Sequence, residues 1–195
     1  MTQTLLTRIP RERLAPQWQP AWDTLNELTG SATFVEVFAQ APDVLDFVMS
    51  RFYMGLFFGG QVAQRYKQLA RLKLSLLHGC RTCNKQNVPG ALAAGFTAEQ
   101  VDALIAGDDA PFTPAERAVI GYAAQVALTN MDGELSPELF ASLRAHFSES
   151  EILELGTVMA IIGGMAKLSF VLNVVEKESY CPFASALEGS NSVEA

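Results

Sequence analysis

Cysteine and histidine are scarce in this chain, with three of the first and two of the second among 195 residues. Three cysteines make no disulfide framework, and a structural zinc site wants four Cys or His ligands that this sequence can hardly assemble. No motif implies a metal, flavin, haem or other cofactor. Charge is also sparse: 18% of residues are ionisable acids or bases, and the acidic excess sets a net charge of −7. No run of Lys and Arg offsets that excess, so a phosphate backbone is repelled and nucleic acid is excluded as a partner. The first twenty residues hold Arg8, Arg11 and Arg13 but no apolar stretch of leader length. Long apolar runs are missing as well. Leu155 to Val175 is interrupted by Gly163, Gly164, Lys167, Ser169 and Asn173, whereas a bilayer needs about 20 predominantly apolar residues. A soluble, cytoplasmic protein with no membrane partner is expected. Period-two alternation between turn signals is absent too, which leaves an all-α fold.

What is there suits one domain: 49% of the residues are apolar, enough for a core at this length. Residues 1–32 form an arm punctuated by Pro10, Pro16 and Pro20, with Trp18 and Trp22 to dock it. Residues 33–178 form the helical domain, and 179–195 a tail that is polar and disordered from Glu188. A short helix is expected over Thr33–Ala39. A longer one opens at Pro42 and runs to Phe58, with Val44, Leu45, Val48, Phe52 and Leu56 on one face, widened by Phe47, Met54 and Phe58. Gln61–Leu77 follows, with apolar Val62, Leu69, Leu72, Leu76 and Leu77 against polar Gln64, Arg65, Lys67, Gln68, Arg71 and Lys73. The next helix runs towards Ala94, and Pro89 inside it should kink or break it. Thr97/Gln100, Thr113/Glu116 and Ser148/Glu151 mark further helix starts, and Ser136-Pro137 another. The last helix should reach about Glu176. Glu99, Glu116 and Glu151 are first-turn carboxylates with no chemical duty.

The reactive chemistry is concentrated at His78-Gly79-Cys80-Arg81-Thr82-Cys83. Residues three apart share one helix face, so Cys80 and Cys83 at a helix start can meet, and the positive end of the dipole favours a thiolate. A Cys-x-x-Cys in a reducing compartment points to thiol–disulfide exchange or metal, and redox is favoured here. The third thiol, Cys181, is expected unpaired at the surface or a subunit contact.

The run RLKLSLLHGCRTCNKQN, followed by ALAAGFTAEQVDAL, resembles the alkylhydroperoxidase D and carboxymuconolactone decarboxylase family, as do FTPAERAVIGYAAQVALT and FSESEILELGTVMAIIGG. The likeness spans roughly residues 33–178. It implies an all-helical, alkylhydroperoxidase D-like bundle assembled as a homo-oligomer (dimer, trimer or hexamer). It also implies thiol-dependent peroxidase or disulfide oxidoreductase activity on a small hydroperoxide or organic substrate, with an unidentified thiol reductant. By the family pattern Cys83 attacks and Cys80 resolves. The family's Glu/His proton relay does not carry over: Gln68, Thr82 and Asn87 stand at its positions, and none can accept a proton. Such help is typically worth about 10²–10⁴-fold. Two other readings therefore stand beside peroxidase: a carboxymuconolactone decarboxylase-like enzyme, and a non-catalytic ligand-binding protein.

His78 is read either as a substitute base or cation beside the thiols, or as a helix C-terminal residue bonding free carbonyls, the latter being favoured. Gln68 and Asn87 either line a polar pocket beside the cysteines or fill the old relay space. The aromatic stretch Phe52, Tyr53, Met54, Phe57 and Phe58 is core or subunit interface first, and the wall of an apolar pocket second. Gly163-Gly164 allows close helix packing, and His146 is structural.

Overall fold

The computed structural model describes residues 4–127 and 132–181. Among the described residues there are nine α-helices: α1 Gln19–Thr29, α2 Thr33–Phe38, α3 Pro42–Asp46, α4 Gln64–His78, α5 Arg81–Ala93, α6 Ala98–Ala106, α7 Pro114–Ala127, α8 Pro137–Arg144 and α9 Glu149–Val171. Among the described residues there is no strand, only an isolated antiparallel bridge between Cys80 and Lys177. The fold is all-α. The tail beyond residue 181 lies outside the described residues, as does the end expected for α7 near Asn130.

Helix starts follow local chemistry closely. Reciprocal capping boxes, Thr97 with Gln100 and Ser148 with Glu151, open α6 and α9. Thr113 and Glu116 exchange the same pair of bonds at α7, where Glu116 is also buried against Arg65. α4 packs on α5, α7 and α9. It stands at the centre of the main core, in which Leu69, Leu72 and Leu74 meet Val119, Leu143, Leu155 and Met159. A second cluster joins the N-terminal arm to the rest: Trp18 and Trp22 pack with Val35, Phe38, Leu45, Phe170 and Cys80. There Glu36 is buried, paired with Arg8 and accepting from Trp22 Nε1 at 2.8 Å.

Four expectations are corrected. The helix opened at Pro42 does not stay α-helical: over Phe47–Phe57 it winds as a π-helix, closed by the Phe58 N–H bonding five residues back to Tyr53 O. Val44, ahead of that segment, is exposed; within it and at its end the wider winding shifts the phase of the apolar face, so Phe47, Met54 and Phe58 are exposed while Val48, Phe52 and Phe57 are buried. Pro89 does not break α5, which runs unbroken from Arg81 to Ala93. Lys85 and Pro89 both lie on its exposed side, where water can serve the carbonyl that proline leaves unpaired. α9 stops at Val171, not near Glu176, because Asn173 adopts a left-handed φ of 55°. Val174 N then bonds back to Ser169 O, a helix-closing pattern that frees the chain to turn. Finally, Cys181 is buried, not superficial. In length and composition α9 would suffice to cross a membrane; here Ile152, Leu155, Val158 and Met159 on it are buried in the bundle.

Candidate active site at the Cys80–Cys83 turn

Two helix ends meet at the cysteines. α4 closes with Gly79 in the left-handed region (φ 61°), and Cys80 N bonds to Ser75 O at 3.0 Å. Cys80 is at once the N-cap of α5: its Sγ accepts from the Cys83 N–H at 3.2 Å. The chain thus passes from one helix to the next in two residues, and Cys80 and Cys83 are joined as a disulfide with Cα atoms 5.2 Å apart.

The C-terminal segment straps this turn from outside. Glu178 N donates to Gly79 O at 2.8 Å, Glu176 N to Thr82 Oγ1 at 2.8 Å, and Cys181 Sγ to His78 O at 3.0 Å. Arg81–Glu178 and Lys85–Glu176 ion pairs flank it. Under this strap Cys80 is wholly inaccessible, whereas Cys83 is part-exposed.

Cys83 faces a cleft of about 520 Å³. Its wall is built from α1, the π-wound segment, α4, α5 and α9, with Trp18, Phe34, Phe52, Tyr53, Phe58 and Met165 supplying much of the apolar surface. The aromatic stretch before α4 is therefore pocket wall as well as core: Phe57 is buried, and its neighbours line the cleft. Cys80 is not part of that lining. The two sulfurs are thus unequal, one presented to the cleft and one behind it.

The relay-position residues separate. Asn87 lines the cleft, 2% exposed; its Nδ2 donates to Arg71 O at 3.3 Å while its Oδ1 has no partner. Thr82 lines the cleft beside Cys83. Gln68 does not reach it. Its side chain lies against Gly90 of α5, where a Cβ would come within 2.8 Å of Gln68 Oε1. A glycine there leaves the space that the longer side chain fills. His78, the last residue of α4, lines the cleft and rests near Gly163 of α9. Burial first, then the charge of Lys167, holds its pKa below the ordinary histidine value. Both causes favour the neutral imidazole over the cation.

Sequence reasoning passed over Arg71, Ser75 and Gln86, which also line the cleft. Lys67, Gln68 and Arg71, set among the polar residues of α4 opposite its apolar face, are all buried. A signal was present: Gln64, Lys67/Gln68, Arg71, Ser75 and His78 recur at three- and four-residue spacing, a polar stripe down one side of the helix. A stripe of that kind on the central helix of a bundle faces either paired groups or a cavity. Among the described residues no three His, Cys, Asp or Glu side chains gather where one metal ion could be held.

Residues 42–125 match the sequence model of the carboxymuconolactone decarboxylase family. Over this stretch, a little under half of the chain, the sequence is similar to that family. The matched segment holds the π-wound helix, α4, the cysteine turn and most of α7, so the family region ends well before α9. Among solved structures, the debrominase Bmp8 as a cysteine-to-alanine variant in complex with 2,3,4-tribromopyrrole superposes with a TM-score of 0.71 at 20% identity, over 95% of this chain and 97% of that one. Bmp8 without ligand gives 0.71 at 20% identity, over 96% and 99%. A protein of unknown function from Agrobacterium tumefaciens, ATU0492, named as a candidate antioxidant-defence protein AhpD, gives 0.60 at 21% identity, over 69% and 91%. At these identities the likeness is one of fold. No curated protein matches the sequence.

Proposed function

We propose that this protein is a cytoplasmic thiol-dependent oxidoreductase of the alkylhydroperoxidase D kind, reducing a small organic hydroperoxide with its Cys80–Cys83 pair. One observation carries the reading: Cys83 opens onto an apolar cleft while Cys80 lies sealed behind it. That arrangement suits an attacking and a resolving thiol. The Cys83 thiolate attacks the distal peroxide oxygen; an S–O bond forms, the O–O bond breaks, and the alcohol leaves with a proton. The Cys80 thiol then displaces water from the sulfenic acid, closing the disulfide. An external dithiol or two monothiols return both electrons.

Gln68, Thr82 and Asn87 cannot take the thiol proton. The neutral imidazole of His78, in the same cleft, is the group that can. Asn87, with a free Oδ1, orients by hydrogen bonding only. Leu153, Leu168 and Val171 leave an apolar strip exposed on α9, and we take it to join copies of the chain in a homo-oligomer; mass by light scattering would test this.

The test is a peroxide titration of the fully reduced protein, read by thiol count and intact mass. Cumene hydroperoxide should remove two thiols and two mass units, faster than hydrogen peroxide does, and the Cys83→Ser protein should not respond. Oxidation no faster than that of a free small thiol would end the peroxidase reading. A second reading, reductive dehalogenation, is favoured by the likeness to a debrominase over 95% of the chain. There the two thiols supply two electrons, the carbon–halogen bond becomes carbon–hydrogen, and halide is released as the disulfide forms. Bromide release from a bromopyrrole by the reduced protein would select it.

A further inference from the structure

Among the described residues, Arg71 is the one formally charged side chain in the cleft wall at neutral pH, and it is 6% exposed. Among the described residues no oxygen accepts a hydrogen bond from its guanidinium, and no carboxylate pairs with it. The cleft lining contains neither Asp nor Glu. What the cation does have is aromatic: its guanidinium carbon lies 5.6 Å from the Tyr53 ring and 5.4 Å from that of Phe57. Ring faces offset part of a buried charge but leave the planar N–H fork unused. A cation removed from water without a counter-ion is costly to hold, and such groups ordinarily find a partner. Lys67, the other buried cation of α4, is paired with Glu154, so the missing partner of Arg71 belongs to something that enters the cleft.

We infer that Arg71 makes the cleft a receptor for an organic anion: an apolar or aromatic body bearing a carboxylate, paired with Arg71 and presenting its other end to Cys83. The placement fits. Asn87 Nδ2 bonds to the Arg71 carbonyl and fixes Arg71 level with Asn87. Cys83 lies four residues, about 6 Å of helix rise, from Asn87 along α5. Arg71 and Cys83 line the same cleft, so a ligand paired with the one occupies the chamber onto which the other opens. The substrate class deepens the redox reading, which it names as a carboxylated hydroperoxide, but binding itself needs no turnover.

The experiment is therefore made on the oxidised protein. 3-Phenylpropionate and its neutral analogue 3-phenylpropionamide are titrated by quenching of tryptophan fluorescence, since Trp18 lines the cleft. The carboxylate should bind roughly ten- to hundred-fold more tightly than the amide, the range of a charge-assisted bond. Arg71→Met should abolish that preference while still binding the amide, and Arg71→Lys should keep part of it. Equal affinity for the two ligands, or a preference that survives Arg71→Met, overturns the inference. So does the case in which the counter-ion is the Cys83 thiolate: Arg71→Met then moves the alkylation-versus-pH curve of the reduced protein to higher pH, and the carboxylate shows no preference. A carboxylate preference together with slow peroxide oxidation leaves this inference standing and removes the peroxidase.

Discussion

Lys67 and Arg71 sit one turn apart on the same helix, and the protein treats them in opposite ways. Lys67 is wholly buried, 2.6 Å from Glu154 Oε1 and bonded to Leu56 O at 2.8 Å. Glu154 in turn accepts from the Gln61 and Val62 amides. Charge, donors and acceptors all close on one another. Arg71 faces the cleft with rings around it and, among the described residues, no acceptor. Burial is nearly equal; what differs is completion. A completed buried pair ties the π-wound segment and α9 to α4, and an incomplete one is available to a ligand.

The contrast is open to breaking. The largest effect is expected from Lys67→Met, which strands Glu154 and should lower the unfolding free energy by about 3–5 kcal/mol in urea; adding Glu154→Gln, which removes the unpaired charge and keeps an acceptor for one of the two amides, should restore part of the loss. Next comes acid sensitivity. Burial opposes ionisation of Glu154, but Lys67 and the two amides outweigh it and hold its pKa below the ordinary 4.5. Its contribution is therefore complete above about pH 4.5 and is lost as pH falls, and in Lys67→Met that part of the pH–stability profile should flatten or reverse. Arg71→Met should change stability by less than about 1 kcal/mol, in either direction, because no native bond is lost; a loss as large as that of Lys67→Met would erase the distinction drawn here. The smallest effect belongs to His78. Its folded pKa lies below 6.5, so the unfolded chain binds more protons in that window, and stability should decline as pH drops below about 6.5. In His78→Gln the decline should vanish from denaturation curves taken at closely spaced pH.

How much of this was legible in the chain follows from what is local. Thr97/Gln100, Thr113/Glu116 and Ser148/Glu151 act within a turn of themselves, so their helices start where the residues say. The absence of alternation excluded a sheet, and the cysteine pair fell at a helix N-terminus as its spacing required. The misses are long-range. Nothing near Phe47 signals π-winding, and the outward turn of Phe47, Met54 and Phe58 follows from it. Pro89 looked like a breaker because sequence alone does not say which side of a helix meets water. Cys181 is buried because residues 174–181 double back across the turn, after Asn173 ended α9 early. Gln68 and Asn87, equivalent on paper, diverge because one meets Gly90 and the other the cleft.

Gly79 holds a position with almost no freedom to drift. It takes a left-handed φ, and a Cβ there would lie 2.5 Å from Cys181 Cα. A larger residue is strained in its own backbone and collides with the strap, so neither fault can be cured by relaxing the other. The lineage can vary residue 79 only by giving up the strap as well. With the strap goes the cover over Cys80, and with that cover the inequality of the two sulfurs. A single hydrogen atom in place of a side chain at residue 79 thus keeps one sulfur covered and the other open to the cleft.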